Sequence, residues 1–244
     1  ARCPDRKVAM VCSAVSSKML RAVAEREGFR FEETLTGFKW IGRRMVELRE
    51  EGYDACFGYE EAIGFACGSV IPDKDGISAA CCLSELAAHC YATLGTSLSG
   101  HLATLRSRYG SFVSRNGYFY VPTPSPVPRI IEGIRNGSSY AKEVGGYKVC
   151  AVRDLGVPGY DSTKADNKPT LPCSATSPMI SFTFENGTVF QFRASGTEPK
   201  FKYYVEMAGE PGVDREVVER DVEVMVGVVL EELLKPDLNG LIRP

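Results

Sequence analysis

Eight consecutive residues, Arg193-Ala194-Ser195-Gly196-Thr197-Glu198-Pro199-Lys200, gather anion-binding groups into one short segment. Arg193 offers a planar fork able to grip two phosphate oxygens, and Ser195 and Thr197 add hydroxyl donors. Gly196 lets backbone N–H groups approach an anion without a Cβ in the way, Lys200 adds a cation, and Pro199 stiffens the exit. Residues 188–192 before this segment and 201–205 after it are β-branched or aromatic with partial alternation, so the loop reads as the exposed tip of a hairpin. By itself a Ser-Gly-Thr turn is more often only a turn. Arg193 and the company of the other motifs favour a phosphate.

A second group of candidates lies in the first third of the chain. Glu60 and Glu61 follow a strand-like run and are flanked by Gly58 and Gly64, with apolar Phe57, Ile63 and Phe65 around them. A Glu-Glu pair is ordinarily a solvated face, and the apolar, glycine-rich setting is what singles this one out. Lys74-Asp75-Gly76 follows, and Thr34-Leu35-Thr36-Gly37-Phe38-Lys39-Trp40 precedes. Lys39 reads equally well as a helix-face lysine beside Trp40. His89 and His101 fall on helical stretches with no cysteine or acidic partner at ligand spacing, so structural roles suit them better than metal binding. Ser16 is expected to cap a helix rather than act as a nucleophile.

These segments carry a resemblance. R-x-S-G-T-E-P-K resembles the phosphate-binding loop of the last domain of the α-D-phosphohexomutases, the phosphoglucomutase and phosphomannomutase superfamily. Phe57-Gly58-Tyr59-Glu60-Glu61-Ala62-Ile63-Gly64 resembles that family's sugar-recognition loop, whose core is Gly-Glu-Glu-Ser, and Lys74-Asp75-Gly76 resembles the Lys-Asp-Gly after it. Residues 34–40 look like the Thr-Gly loop that comes before. The wording is most like the branch containing phosphopentomutase and glucose-1,6-bisphosphate synthase. Ala62 departs from the family's serine, which removes one hydroxyl contact, weakens any claim of hexose specificity and is compatible with a pentose phosphate or with that branch.

The resemblance implies the third and fourth domains of a mutase, beginning close to the first strand of the third and without the helix expected to precede it. The family's phosphorylated serine and its Asp-x-Asp-x-Asp-Arg magnesium loop have no counterpart here, so no catalytic serine and no metal ligand are assigned. The activity implied for the full-length protein is an intramolecular phosphotransfer between C1 and C6, or C5, of a sugar through a phosphoserine and a bisphosphate intermediate. Mg2+ would be held by a domain outside this chain, glucose-1,6-bisphosphate or a similar bisphosphate would be the activator, and the chain alone would be inactive. Glu60, Glu61, Thr36 and Gly37 would bind sugar. Arg193, Ser195, Gly196, Thr197, Lys200 and Lys74 would bind phosphate. The alternative is a naturally short, noncatalytic sugar-phosphate-binding protein.

The elements that must position these groups fall into two styles. Residues 7–12, 29–35 and 53–59 read as strands alternating with helices over 16–28, 38–48, 76–94 and 97–110, the pattern of an α/β domain with a mixed or parallel sheet covered by helices. The helix over 76–94 is rich in Ala, Cys and Leu and is expected to be buried. Residues 117–128, with four prolines, read as the connection, which sets the domains at 1–116 and 117–244. The second domain shows a short helix at 128–135, strands at 148–155, 179–185, 188–192 and 200–207, a long loop at 158–178, and a helix over 214–234. That is a smaller α+β domain with an antiparallel sheet. Asn186-Gly187 is a strong turn signal, and Val218, Val222, Met225, Val229 and Leu233 form one apolar stripe.

Bulk properties limit the alternatives. The 244 residues are 44% hydrophobic with a formal net charge of −2, and the pI near 5.9 argues against general nucleic-acid binding. Nine cysteines without a CxxC pair fit a reduced, cytoplasmic protein better than a disulfide scaffold or a zinc site. No apolar run is long enough to span a bilayer, and residues 1–7 lack the core of a signal peptide. The expected partners are a small sugar phosphate and the remaining domains of the same polypeptide, with no nucleic acid and no membrane.

Overall fold

The computed structural model describes residues 6–123, 125–196 and 198–244. Thr197, one of the expected phosphate ligands, and the N-terminal residues 1–5 lie outside the described residues. The chain divides into two compact units, Ala1–Ser111 with Glu210–Gly212, and Phe112–Gly209 with Val213–Pro244.

The first unit alternates strand and helix. It runs through β1 (Val8–Ser13), α1 (Met19–Glu27), β2 (Arg30–Thr34), α2 (Phe38–Glu50), β3 (Asp54–Glu60), β4 (Gly64–Cys67), α3 (Gly76–Ala92) and α4 (Leu98–Tyr109). The sheet order is β2-β1-β3-β4. β1 pairs in parallel with both β2 and β3, and β4 returns antiparallel to β3. α1 stops at Gly28, whose φ of 75° only glycine adopts cheaply and whose N–H bonds the Ala24 carbonyl. α2 buries Phe38, Ile41, Met45 and Leu48 at helical spacing against Ala9, Val11, Ala55 and Ala66 of the sheet.

Two expectations fail in this unit. α3 is not buried, since Cys90 alone of its residues is. Ser16 does not cap α1: Lys18 stands at the N-cap, makes no side-chain cap bond, and the Ser16 hydroxyl is engaged elsewhere. A serine two residues before the cap position cannot reach the first free amides of the helix.

The second unit contains β5 (Ser111–Tyr120), α5 (Val127–Arg135), β6 (Glu143–Val144), β7 (Tyr147–Asp154), β8 (Tyr160–Asp161), β9 (Met179–Phe184), β10 (Val189–Ala194), β11 (Lys200–Gly209) and α6 (Arg215–Leu234). Its seven-stranded sheet runs β5-β11-β10-β9-β7-β6, with β8 attached to β7. The pairs from β11 through β10, β9 and β7 are antiparallel. Phe182, Phe184, Phe190, Phe192 and Phe201 are fully buried, each worth about 1.5–3 kcal/mol of transfer from water. α6 lays Val218, Val222, Met225 and Val229 into the same core, with Leu233 partly buried beside them. The Asn186-Gly187 turn joins β9 to β10. Gly187 has φ 79°, and the Asn186 side chain accepts from the Thr188 amide at 3.1 Å. Register along this hairpin fixes the position of Arg193.

Candidate functional site

In the first unit the carboxyl ends of three parallel strands bring the candidate residues to one edge. In open α/β sheets that edge is where ligands gather. Glu60 closes β3 opposite Gly64, the first residue of β4. A Cβ on Gly64 would lie 2.6 Å from Cδ and 2.9 Å from Cγ of Lys74, and 3.0 Å from Cγ of Glu60. Both side chains therefore rest on a bare Cα, and glycine is the residue that lets them meet. Desolvation raises the Glu60 carboxyl above its ordinary pKa, Lys74 opposes that shift, and the Glu61 and Asp73 charges reinforce it. The Lys74 ammonium lies 3.2 Å from Asp73 Oδ1 and 4.9 Å from the centre of the Phe38 ring. Phe38 follows Gly37, which has φ 106° and precedes α2, so the Thr36-Gly37 turn adjoins Lys74.

Glu61 is turned differently. Its Oε2 lies 3.2 Å from the Ser13 hydroxyl and 3.4 Å from the Ser16 hydroxyl, and the two hydroxyl oxygens are 2.7 Å apart, so two protons are shared among three contacts. The loop carrying them is closed by Lys18, whose ammonium donates to the carbonyls of Ser16 at 2.6 Å, Ala14 at 2.9 Å and Ser13 at 3.2 Å, and pairs with Glu33 at 3.2 Å. The Asp75 carboxylate accepts from the amides of Ile77 at 3.0 Å and Ser78 at 3.2 Å and so caps α3. The tip residue Ile63 has φ 60° and is 85% exposed, a conformation that costs a β-branched residue energy.

In the second unit Arg193 sits near the end of β10, half-buried, directly across from Lys202 of β11. Its Nε donates to Ser177 Oγ at 3.4 Å, and Ser177 in turn donates to the Ala194 carbonyl at 3.2 Å. Among the described residues its two terminal nitrogens have no partner, which leaves the fork open. Ser195 is joined to Lys200 across the hairpin by a 3.0 Å backbone bond, and its hydroxyl accepts from the Glu198 amide at 3.2 Å while keeping its own proton to donate. Gly196 is exposed.

Lys200 is committed within the loop. Its ammonium lies 2.8 Å from Glu198 Oε1 and 4.5 Å from the centre of the Tyr118 ring, while Glu198 Oε2 lies 2.9 Å from Lys202. Lys200, then Lys202, holds the Glu198 carboxyl down at about 2. Sequence reasoning overlooked Ser13, Ser177 and Tyr118, and it set Lys18 aside. Serine and lysine in loops carry no spacing signal, and only the folded register reveals whom they serve.

Residues 2–109 match the alpha/beta/alpha domain III of the phosphoglucomutase/phosphomannomutase family. Over 241 residues, 97% of this chain, the sequence is 43% identical to the glucose 1,6-bisphosphate synthase of Homo sapiens. Over 236 residues, 95% of the chain, it is 43% identical to the phosphopentomutase of Homo sapiens. The crystal structure of pp63/parafusin, a phosphoglucomutase from Paramecium, shares the fold with a TM-score of 0.67 at 18% identity, covering 97% of this chain and 39% of that one. The chain belongs to the phosphoglucomutase/phosphomannomutase superfamily and carries the fold of its C-terminal domains. Its similarity lies with the glucose 1,6-bisphosphate synthase and phosphopentomutase branch. It spans 38% of the length of each of those two relatives.

Proposed function

We propose that this chain is the sugar-phosphate-recognition part of a longer phosphomutase that moves a phosphoryl group between C1 and C6, or C5, of a sugar. The observation that carries the reading is Arg193. Its guanidinium is anchored through Nε with both terminal nitrogens open, beside Ser195 in a hairpin whose sequence resembles the family's phosphate loop. Arg193, Ser195, Gly196 and Thr197 hold the phosphate that is not being transferred, and Lys200 stiffens the loop and adds positive charge behind it. Glu60 accepts hydrogen bonds from sugar hydroxyls. Glu61, Thr36 and Gly37 complete that subsite, with Glu61 bracing the tip through Ser13 and Ser16. Lys74 neutralises phosphate charge near the transfer site. Binding energy gained at these points orients the reacting end of the sugar.

The covalent work belongs to the rest of the polypeptide. There a phosphoserine passes its phosphoryl group to a sugar monophosphate hydroxyl, whose proton goes to a base, and the bisphosphate so formed returns its other phosphoryl group to the serine. Among the described residues no group of three or more His, Cys, Asp or Glu side chains is arranged to hold a metal ion. Every cysteine among the described residues is a free thiol, which supports a reducing compartment, the cytoplasm. No helix among the described residues is long and apolar enough to cross a membrane.

The test is a pair of assays. The longer polypeptide, supplied with Mg2+ and glucose 1,6-bisphosphate, should interconvert sugar 1-phosphates with their 5- or 6-phosphates, and the 244-residue chain should bind them without turnover. A longer polypeptide that binds but never turns over sinks the enzyme reading and leaves a noncatalytic binder.

A further inference from the structure

The hairpin between β10 and β11 carries a carboxylate where an anion is to bind. Glu198 lies between Ser195 and Lys200, and a bare negative charge there would repel a phosphate across a few ångströms. Two lysines neutralise it, Lys200 at 2.8 Å from Oε1 and Lys202 at 2.9 Å from Oε2. The arrangement has a weak point. A lysine ammonium is a hydrated point charge on a flexible stem, free to swing from a carboxylate to a more highly charged anion. If Lys200 followed an incoming phosphate, it would uncover Glu198 beside the ligand.

Strand β5 supplies what the hairpin lacks. It lies next to β11 at the edge of the sheet. Phe119 points into the core at 2% exposure, so alternation sends Tyr118 and Tyr120 to the opposite face. There the Lys200 ammonium stands 4.5 Å from the centre of the Tyr118 ring and 6.0 Å from that of Tyr120. The shorter distance singles out Tyr118, because the attraction of a cation to a ring face fades beyond about 6 Å. Tyr120 meets Tyr118 edge to face, with centroids 5.2 Å apart and planes at 84°, and so keeps the ring upright. The strand is fastened on this stretch. Tyr120 exchanges backbone bonds with Ile242, at 2.8 and 3.1 Å, and the next residue, Val121, donates its N–H to the Pro199 carbonyl at 2.9 Å. Tyr118 is thus a half-buried ring on a strand tied to the same loop whose lysine it faces.

We propose that Tyr118 is a positioning residue of the phosphate site, its ring holding the Lys200 ammonium against Glu198 so that the carboxylate stays neutralised when a phosphate enters the loop. This rests on the reading of the hairpin as a phosphate site. Tyr118 touches no ligand; it acts through Lys200, and Lys200 through Glu198.

A double-mutant cycle tests the chain of contacts, with glucose 1,6-bisphosphate as the titrant and a thermal melt of each variant. Tyr118→Leu should weaken binding by about three- to ten-fold, the span of a cation–π contact between exposed and desolvated settings. Tyr118→Phe keeps the ring and should bind within about two-fold of wild type. In a Lys200→Met background, Tyr118→Leu should change the affinity by less than about 1.5-fold, because the partner it acts through is gone. Full additivity of the two losses overturns the proposal, as does unchanged affinity in Tyr118→Leu or a loss in Tyr118→Phe equal to that in Tyr118→Leu. Wild-type protein supplies a check that needs no variant to fold. The Lys200 ε-methylene protons, lying over a ring face, should resonate upfield of a free lysine in NMR, and the free-lysine position overturns the proposal. Failure of the wild type to bind either glucose 1,6-bisphosphate or inorganic phosphate sinks the functional reading instead, whereas wild-type binding with an indifferent Tyr118→Leu sinks this inference alone.

Discussion

Arg193→Ala is expected to weaken binding of glucose 1,6-bisphosphate by roughly 10- to 150-fold while leaving the fold no less stable. The first figure follows from the charge-assisted contact removed, about 1.5–3 kcal/mol for hydrogen bonds to a charged group, at about 1.4 kcal/mol per factor of ten. The second follows from register. Arg193 stands directly opposite Lys202, and like charges facing each other across an antiparallel pair are destabilising by a fraction of a kcal/mol up to about 1. Glu198 offsets part of that by bridging to Lys202 at 2.9 Å. The arginine gives back a single 3.4 Å bond to Ser177, so its removal costs the hairpin little. Isothermal titration of wild type, Arg193→Ala and Arg193→Lys, each with a thermal melt, makes the comparison. Lysine keeps the charge and loses the fork, and should recover only part of the affinity. Affinity within two-fold of wild type, or a loss of binding matched by a fall in melting temperature, would refute the assignment of the guanidinium to a ligand phosphate.

Other perturbations address the remaining parts of the two units. Glu60→Gln should change discrimination among sugar phosphates more than affinity for inorganic phosphate, and equal losses for every ligand in titration would remove Glu60 from hydroxyl recognition. The Glu198 carboxyl, held at about 2 against an ordinary 4.5, contributes stability that is present above pH 4.5 and lost as pH falls toward 2. Its carboxyl carbon, followed by NMR, should titrate near that lower value and move upward in Lys200→Met, and an unshifted midpoint would place Glu198 outside the ion-pair network. Asp154, 2% exposed, accepts from Arg135 at 2.7 and 3.2 Å, from Tyr140 at 2.9 Å and from the Gly156 amide at 2.6 Å. Asp154→Ala should cost about 3–5 kcal/mol in urea unfolding by stranding the arginine, and a loss below about 1 kcal/mol would show that the network relaxes.

What could be read from the residues, and what could not, divides along physical lines. The helix over Arg215–Leu234 and the turn at Asn186-Gly187 were legible because periodicity and turn chemistry are local. The α/β alternation of the first unit was legible for the same reason. The strand at Ser111–Tyr120 was passed over: its ten residues mix Ser, Arg and Asn with aromatics and Gly117, so alternation is weak, and its place in the sheet comes from pairing with β11. α3 misled in the opposite sense. Its composition reports what a helix needs, and burial depends on what is present to supply it. At the candidate sites, residue types singled out Glu60, Lys74 and Arg193, but not the contacts their neighbours make. That Glu61 answers to Ser13 and Ser16, and Lys200 to Glu198 and Tyr118, depends on contacts between distant positions that no spacing rule encodes.

The hairpin between β3 and β4 sets which of its own positions can accept a new side chain. A side chain at position 64 would have to displace the stems of Lys74 and Glu60, which occupy the space a Cβ would need. Position 62, two residues away, is exposed alanine and tolerates new chemistry without disturbing either group. In the proposed reading, a substitution at 62 would change what the turn presents to a sugar while Glu60 and Lys74 keep their seat on Gly64.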